Sequence, residues 1–327
     1  MPIENAYPHL SSHHPPTKLL SILCQGRNDS YMGNFLWRLS TVLNNFARNL
    51  KILGMENQVE VIITDWGSQV PLWKSLQLSS DARKNSRFIV VPPELSKIYE
   101  LDSIYPASYP ANTAARRASG EYLLHSDADA FMPLDSLCRL LYCLKVGRVN
   151  DYSLDDSFFW ASKYHIPNTL IEMNPSLDAI EEHISKNWQN YVREGVNKEL
   201  FQGSGVCLLM KREMWFETRG WNEKLIYWGW NDIDWHTRLA SKYRWEDLEL
   251  QGMKVFHLEH YKDRFGDYTK ELQRKFNDPV PPTCIAPNPE NWGLADHYLQ
   301  YYNGDGVNIT PSSNRQIISN EVLNIIL

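Results

Sequence analysis

Nowhere in this chain do 18 apolar residues follow one another, so no segment is long enough to cross a bilayer as a helix. No charged stretch followed by an apolar one opens the N-terminus, so no secretory signal is read and the cytoplasm is the expected compartment. Peripheral association with a membrane stays open. Basic residues are outnumbered: 33 Lys and Arg against 39 Asp and Glu give a net charge of −6, which excludes general nucleic-acid binding, a task that needs a basic footprint. Cysteine is scarce and odd in number. Cys24, Cys138, Cys143, Cys207 and Cys284 form no C-x-x-C pair and no Cys/His zinc spacing; mostly in apolar runs, they read as buried free thiols. There is no internal repeat and no clean interdomain linker. Asn28 and Asn308 open glycosylation sequons that, without an export signal, are read as accidental.

At 327 residues, with 43% hydrophobic and 22% charged residues, the chain can bury one large core, or one core with a modest appendage. Its excess of acid means that an anionic ligand must be met by a local cation: a metal ion, an arginine or a helix N-terminus. The 12 Trp and 17 Tyr exceed what such a core needs. Extra interior packing accounts for about half of them; the rest offer aromatic faces suited to sugar C–H surfaces.

Residues 1–17, with the run His13-His14-Pro15-Pro16, read as a mobile leader. Leu19–Cys24 is an apolar strand that stops at Gly26-Arg27-Asn28-Asp29. The spacing of Phe35, Leu36, Leu39, Val42, Leu43, Phe46 and Leu50 predicts a helix ending at Gly54. Val59–Thr64 is a second strand, Val70–Leu78 a helix and Arg87–Val91 a third strand. Ala111–Ala118 is a helix and Glu121–Leu124 a fourth strand. That alternation predicts an α/β fold with parallel strands. Ligands then gather at the carboxyl ends of the strands, where Asp29, Asp65 and Asp127 fall. Further on come a helix at Ser136–Leu144, a strand at Phe158–Tyr164 and helical composition over Ser176–Leu200. A strand at Val206–Met210, a helix at Ile233–Tyr243 and a last strand at Lys254–His257 follow. Past Asp278 the pattern fades, which gives one domain over 18–275 and a C-terminal extension over 276–327.

Asp127-Ala128-Asp129 ends a buried strand, and two carboxylates there are costly unless a cation holds them. In extended chain, positions i and i+2 point the same way and can face one ion. Oxygen ligands suit Mg²⁺ or Mn²⁺ shared with a diphosphate. The bland alternative is a solvated acidic turn with Asp129 capping the next helix.

The stretch from Asn112 through Arg116 and Gly120 to Asp127 and Asp129 resembles the segment leading into the metal site of nucleotide-sugar transferases of the GT-A fold. Arg27-Asn28-Asp29 and Ile63-Thr64-Asp65-Trp66-Gly67-Ser68 are similar to the nucleotide-binding half of that family. The resemblance implies a GT-A, Rossmann-like mixed and mostly parallel sheet flanked by helices, in a single catalytic domain. It implies a nucleoside-diphosphate sugar as donor, with UDP-sugars favoured. Arg27 and Asp29 then belong to the nucleotide rim, Asp65 contacts the uracil or ribose, and Asn112 or Arg116 lines the nucleotide pocket. Asp127 and Asp129 face the metal and donor.

In the second half, Gly203-Ser204-Gly205, then Arg219-Gly220-Trp221-Asn222-Glu223, then Trp228-Gly229-Trp230-Asn231-Asp232-Ile233-Asp234-Trp235 occur in order. This looks like the acceptor segment of galactosyltransferases and chondroitin-polymerase-like enzymes, and the two resemblances together span residues 19–265. It implies Asp232 as general base at a helix start, with Trp228, Trp230, Asn231 and Asp234 around a glycan or glycolipid acceptor. Asn231 stands where relatives have Glu. On the helix alone, the favoured reading of Asp232 is an N-cap, with Asp234 a first-turn acid. His257 resembles the third metal ligand, with His260 in reserve, and imidazole beside carboxylate shifts the preference from Mg²⁺ toward Mn²⁺. A carboxylate at 232, where retaining relatives carry an amide, implies inversion. Two other readings stand beside this one. The first is a catalytically silent glycan- or nucleotide-binding protein of the same fold. The second is a sugar-nucleotide nucleotidyltransferase, for which Gly26-Arg27-Asn28-Asp29 is a poor phosphate loop.

Overall fold

The computed structural model describes residues 15–29, 31, 33–195, 207–260, 275–278 and 284–310. The leader up to residue 14, the Gly203-Ser204-Gly205 segment and the chain beyond 310 lie outside the described residues.

Four strands lie side by side and parallel: β1 (Lys18–Gly26), β2 (Val59–Trp66), β3 (Ser86–Val91) and β4 (Gly120–Ser126). Central strands covered on both faces need continuous apolar runs, which Leu19–Cys24 and Val59–Ile63 supply. Next in the chain come β5 (Ala130–Phe131), the hairpin β6 (Arg148–Val149) and β7 (Tyr152–Ser153), β8 (Ser157–Trp160) and β9 (Lys163–Ile166). Then follow β10 (Val192–Glu194), β11 (Cys207–Lys211), β12 (Arg244–Asp247), β13 (Val255–Leu258) and β14 (Gln300–Asn303). The large sheet runs β12-β8-β11-β4-β1-β2-β3-β14, and a smaller one runs β10-β9-β13-β5. In the large sheet β11 and β14 pair antiparallel with their neighbours, so it is mixed and mostly parallel.

The longer helices are α1 (Phe35–Leu53), α2 (Pro93–Glu100), α3 (Ser108–Arg116), α4 (Leu134–Val146), α5 (Leu177–Asn187), α6 (Arg212–Thr218) and α7 (Asn231–Ala240). α1 buries its apolar stripe and ends where Gly54, at φ 63°, caps it in the left-handed region. No helix among the described residues is long and apolar enough to cross a membrane.

Several elements differ from expectation for identifiable reasons. The helix expected over Val70–Leu78 shrinks to one turn at Leu72–Ser75, followed by Ser80–Asn85 capped by Ser79. The strand expected over Phe158–Tyr164 is broken in two, with β8 in the large sheet and β9 in the small one. Asp247 binds the Ser162 N–H at 3.1 Å and its hydroxyl, and so turns the chain between them. The helical composition of Ser176–Leu200 yields α5 and then β10. Residues 284–310 carry β14 into the large sheet and bury Trp292, Leu294, Leu299 and Tyr301 against its core. Cys24, Cys143 and Cys207 are buried free thiols, while Cys138 and Cys284 are exposed.

Candidate active site

β4 runs out at Ser126, and the turn that follows, closed by Ala130 N–H to Asp127 C=O at 3.2 Å, delivers the chain to β5 in the small sheet. Asp127 and Asp129 therefore sit where the two sheets meet. The antiparallel register His257↔Ala130 and the bond from Leu258 N–H to Asp129 C=O at 2.9 Å bring β13 alongside. His257 Nε2 then lies 3.5 Å from Asp129 Oδ1, and His260 Nε2 lies 3.6 Å from Asp129 Oδ2. One ligand atom from each of Asp129, His257 and His260 falls within 4.8 Å of the others. A carboxylate with two imidazoles is a donor set for a divalent transition ion, and both histidines join it.

Asp129 is also tied to α1. Arg38 Nη1 donates to its Oδ2 at 2.5 Å, and the same guanidinium is fixed by Asn34 Oδ1 at 3.2 Å and Tyr31 C=O at 2.8 Å. Burial pushes the Asp129 pKa up, but the charges of His257, Arg38 and His260 outweigh it and hold the carboxyl below its ordinary value. Asp127 goes the other way. Burial, then the negative charges of Asp129 and Asp232, raise it well above the carboxylate range, against the pull of Lys163.

Asp232 reaches the same place from α7. Gly229 at φ 79° and Trp230 at φ 66° turn the chain sharply, and Trp230 holds the N-cap position. Asp232 is therefore the second helical residue and caps nothing. It lies in the first turn of the helix, where negative charge is favoured. Burial lifts its pKa to about 6, with Lys163 opposing.

The other expected site residues divide. Trp228 and Trp230, four and two residues ahead of Asp232, are 46% and 42% exposed, with Trp228 edge-on against Phe276, whereas Trp221 and Trp235 belong to the core. Asn231 and Asp234, expected at the acceptor, turn inward instead. Asn231 donates to Ser108 Oγ at 2.9 Å and Leu225 C=O at 2.8 Å, and Asp234 pairs with buried Arg238 at 2.9 Å. Arg238 in turn donates to the carbonyls of Thr218, Gly220 and Ile285, so this pair ties α7 to the end of α6 and to the 285 segment.

Arg27 and Asp29 pair at 2.9 Å on the β1 rim, with Arg27 also reaching Glu100 at 3.2 Å and Ile104 C=O at 2.8 Å. Asp65 is fully buried. Its Oδ2 accepts from Leu72 N–H at 2.7 Å, and burial raises its pKa to about 6, with hydrogen bonds from Ser68 and Leu72 opposing. Asn112 is equally buried, donating to Trp221 C=O at 2.8 Å and Glu223 Oε1 at 2.9 Å while accepting from Trp221 N–H at 2.9 Å. Arg116 stacks on Trp292 at 4.6 Å and donates to Glu290 C=O at 2.9 Å. In this arrangement Asn112 anchors the 221–223 segment and Arg116 the 290–292 segment, each from a buried position. Asn112→Ala is expected to lower stability by about 2–4 kcal/mol, by stranding several buried partners, with nucleotide affinity of the folded protein unchanged. Urea unfolding beside calorimetric nucleotide titration checks this; weaker nucleotide binding at unchanged stability would return Asn112 to the donor pocket.

Sequence reasoning missed Arg38, Lys163, His165, Glu194 and Glu259. Arg38 carried a signal, a charge in the middle of the apolar stripe of α1, between Phe35 and Val42. The others share a face only because β9, β10 and β13 pair.

No protein-family model matches the chain, and no curated protein matches it. Among solved structures, residues 1–349 of S. aureus TarS superpose with a TM-score of 0.48 at 14% identity, covering 78% of this chain and 64% of that one. The TarS complex with UDP-GlcNAc gives a TM-score of 0.46 at 12% identity, covering 74% of this chain and 59% of that one. The complex with UDP gives 0.47 at 12% identity, covering 78% and 64%. This chain thus matches under two thirds of the length of those proteins.

Proposed function

We propose that the chain is a metal-dependent, inverting glycosyltransferase of the GT-A type. It moves a sugar from a nucleoside-diphosphate donor, a UDP-sugar first, to a hydroxyl of a glycan or glycolipid. The observation that supports this most is the meeting of Asp127, Asp129 and Asp232 with Lys163, His257 and His260 at the carboxyl end of β4. Three acids from two distant parts of the chain are kept together there against their mutual repulsion, an arrangement found where charge has work to do.

Asp129, His257 and His260 would hold the ion, Mn²⁺ in preference to Mg²⁺ because two of the three donors are imidazoles. When bound, the ion supplies positive charge against the diphosphate that leaves. The chain's own residues do the rest. Asp232 accepts the proton of the acceptor hydroxyl at its carboxylate as that oxygen forms its bond to the anomeric carbon. The bond to the diphosphate breaks on the opposite face, which inverts the configuration. Trp228 and Trp230 offer ring faces to the apolar side of the acceptor sugar. Partly buried Arg27 and exposed Asp29 would form the reachable rim for the nucleotide, and buried Asp65 shapes the loop beneath it.

A panel of nucleotide sugars with Mn²⁺ should raise the melting temperature for the true donor, and donor turnover should follow only with the ion present. NMR of the product should show the anomeric configuration opposite to the donor's. Retention would overturn the role given to Asp232. Binding without hydrolysis or transfer would leave a silent binding protein, and pyrophosphate release from a nucleoside triphosphate would point to a nucleotidyltransferase.

A further inference from the structure

We propose that Glu259 is a positioning residue that fixes the tautomer and aim of His257 as a metal ligand, braced by His165. The assignment rests on the metal reading above. Glu259 Oε1 lies 3.1 Å from His257 Nδ1 and is in hydrogen-bond contact with His165 Nδ1. The far nitrogen of His165 meets Glu194 Oε2 at 3.1 Å, and Lys163 reaches the same carboxylate at 3.3 Å.

Strand register brings these groups together. β9 and β13 run parallel with His165↔His257, so the two imidazoles share a face, their ring centroids 5.4 Å apart. β10 runs antiparallel to β9 with Glu194↔Lys163. Glu259 follows β13 directly, and it, His165 and His257 are each less than a tenth exposed.

A carboxylate can only accept, so the hydrogen of His257 sits on Nδ1. The lone pair is then on Nε2, the nitrogen that faces Asp129 at 3.5 Å. With no acceptor at Nδ1, the ring could turn or carry its hydrogen on Nε2, and in either state Nε2 no longer presents a lone pair beside Asp129. A carboxylate behind a ligating imidazole also makes the imidazole a stronger donor. His165 touches neither Asp129 nor His260; its contribution is to hold Glu259 from the other side.

The test is Mn²⁺ titration of the full-length protein, followed by the EPR signal of the free ion, with the melting temperature in EDTA measured alongside. Glu259→Gln keeps the size but loses the charge and should weaken Mn²⁺ binding roughly 10–100-fold. His165→Asn, farther from the ion, should weaken it by about 10-fold or less, and it serves if Glu259→Gln does not fold. The absorption spectrum of the Co²⁺-loaded protein should change in both variants, which a merely structural role would not produce. Unchanged Mn²⁺ affinity in a folded variant would overturn the positioning role, even with a lower melting temperature in EDTA. Two ions per chain would overturn it too, since His165, His257 and Glu259 are close enough to hold a second one. A wild-type chain that binds no Mn²⁺ would instead overturn the metal reading on which this rests.

Discussion

Asp232→Asn should cut turnover by roughly 10²–10⁴ while making the folded protein more stable at pH 7. The first half follows from chemistry: an amide of the same size cannot accept the acceptor's proton. The second follows from burial, which raises the Asp232 pKa from 3.8 to about 6. A carboxyl whose folded pKa lies above its unfolded one adds stability below pH 4 and loses it as the pH rises through 6. At pH 7 the ionised group is therefore a burden of up to about 3 kcal/mol that asparagine does not carry. The kcat/KM of the wild-type protein, which reports groups of the free protein, should fall on the acid side with a midpoint near 6 as Asp232 takes up its proton. Asp234→Asn should behave in the opposite way. It breaks the buried pair with Arg238, so stability drops by about 3–5 kcal/mol while the folded fraction still turns over. Thermal denaturation across pH 5 to 8, beside initial rates, separates the two. An Asp232→Asn protein that is active, or one that is less stable at pH 7, would contradict the role assigned to this residue.

Removing the ion should be as severe. Chelation by EDTA, His257→Ala and His260→Ala should each lower transfer by about 10³-fold or more, since charge stabilisation at a leaving diphosphate is worth several kcal/mol. Added Mn²⁺ should restore the chelated wild type and leave the variants impaired. Asp129→Ala is a poorer probe than the sequence alone implies. Its carboxylate is the counter-charge of fully buried Arg38, so the variant should also lose about 3–5 kcal/mol of stability. His260→Ala takes no partner from a buried arginine, and comparing its melting temperature in EDTA with that of Asp129→Ala shows the difference. Full activity in EDTA would remove the metal from the mechanism.

The parts legible in the sequence are those where local pattern and final environment agree. α1 declared itself by its apolar spacing and Gly54, and the parallel strands by their continuous apolar runs. Asp127, Asp129, Asp232 and His257 stood out as polar residues at the ends of apolar elements, and the fold brings them together. Asn112, Asn231 and Asp234 stood out for the same reason, yet the fold turns them inward. An amide bonded to a backbone carbonyl and one bonded to a ligand are the same letter. The small sheet was not legible. β5, β9, β10 and β13 come from four separated stretches, and the residues just before β10 have the composition of a helix. The network of Lys163, His165, Glu194 and Glu259 exists only once those strands pair.

Arg38 separates the folding of this protein from its loading. A fixed guanidinium 2.5 Å from Asp129 gives the acidic turn a permanent internal counter-ion before any metal arrives. Folding thus need not wait for the ion, as it must in domains whose ligands repel one another without it. If the proposed ion binds here, the chain could fold first and load the ion afterwards. Arg38, carried on the first long helix, ties the acidic turn to that helix with or without an ion.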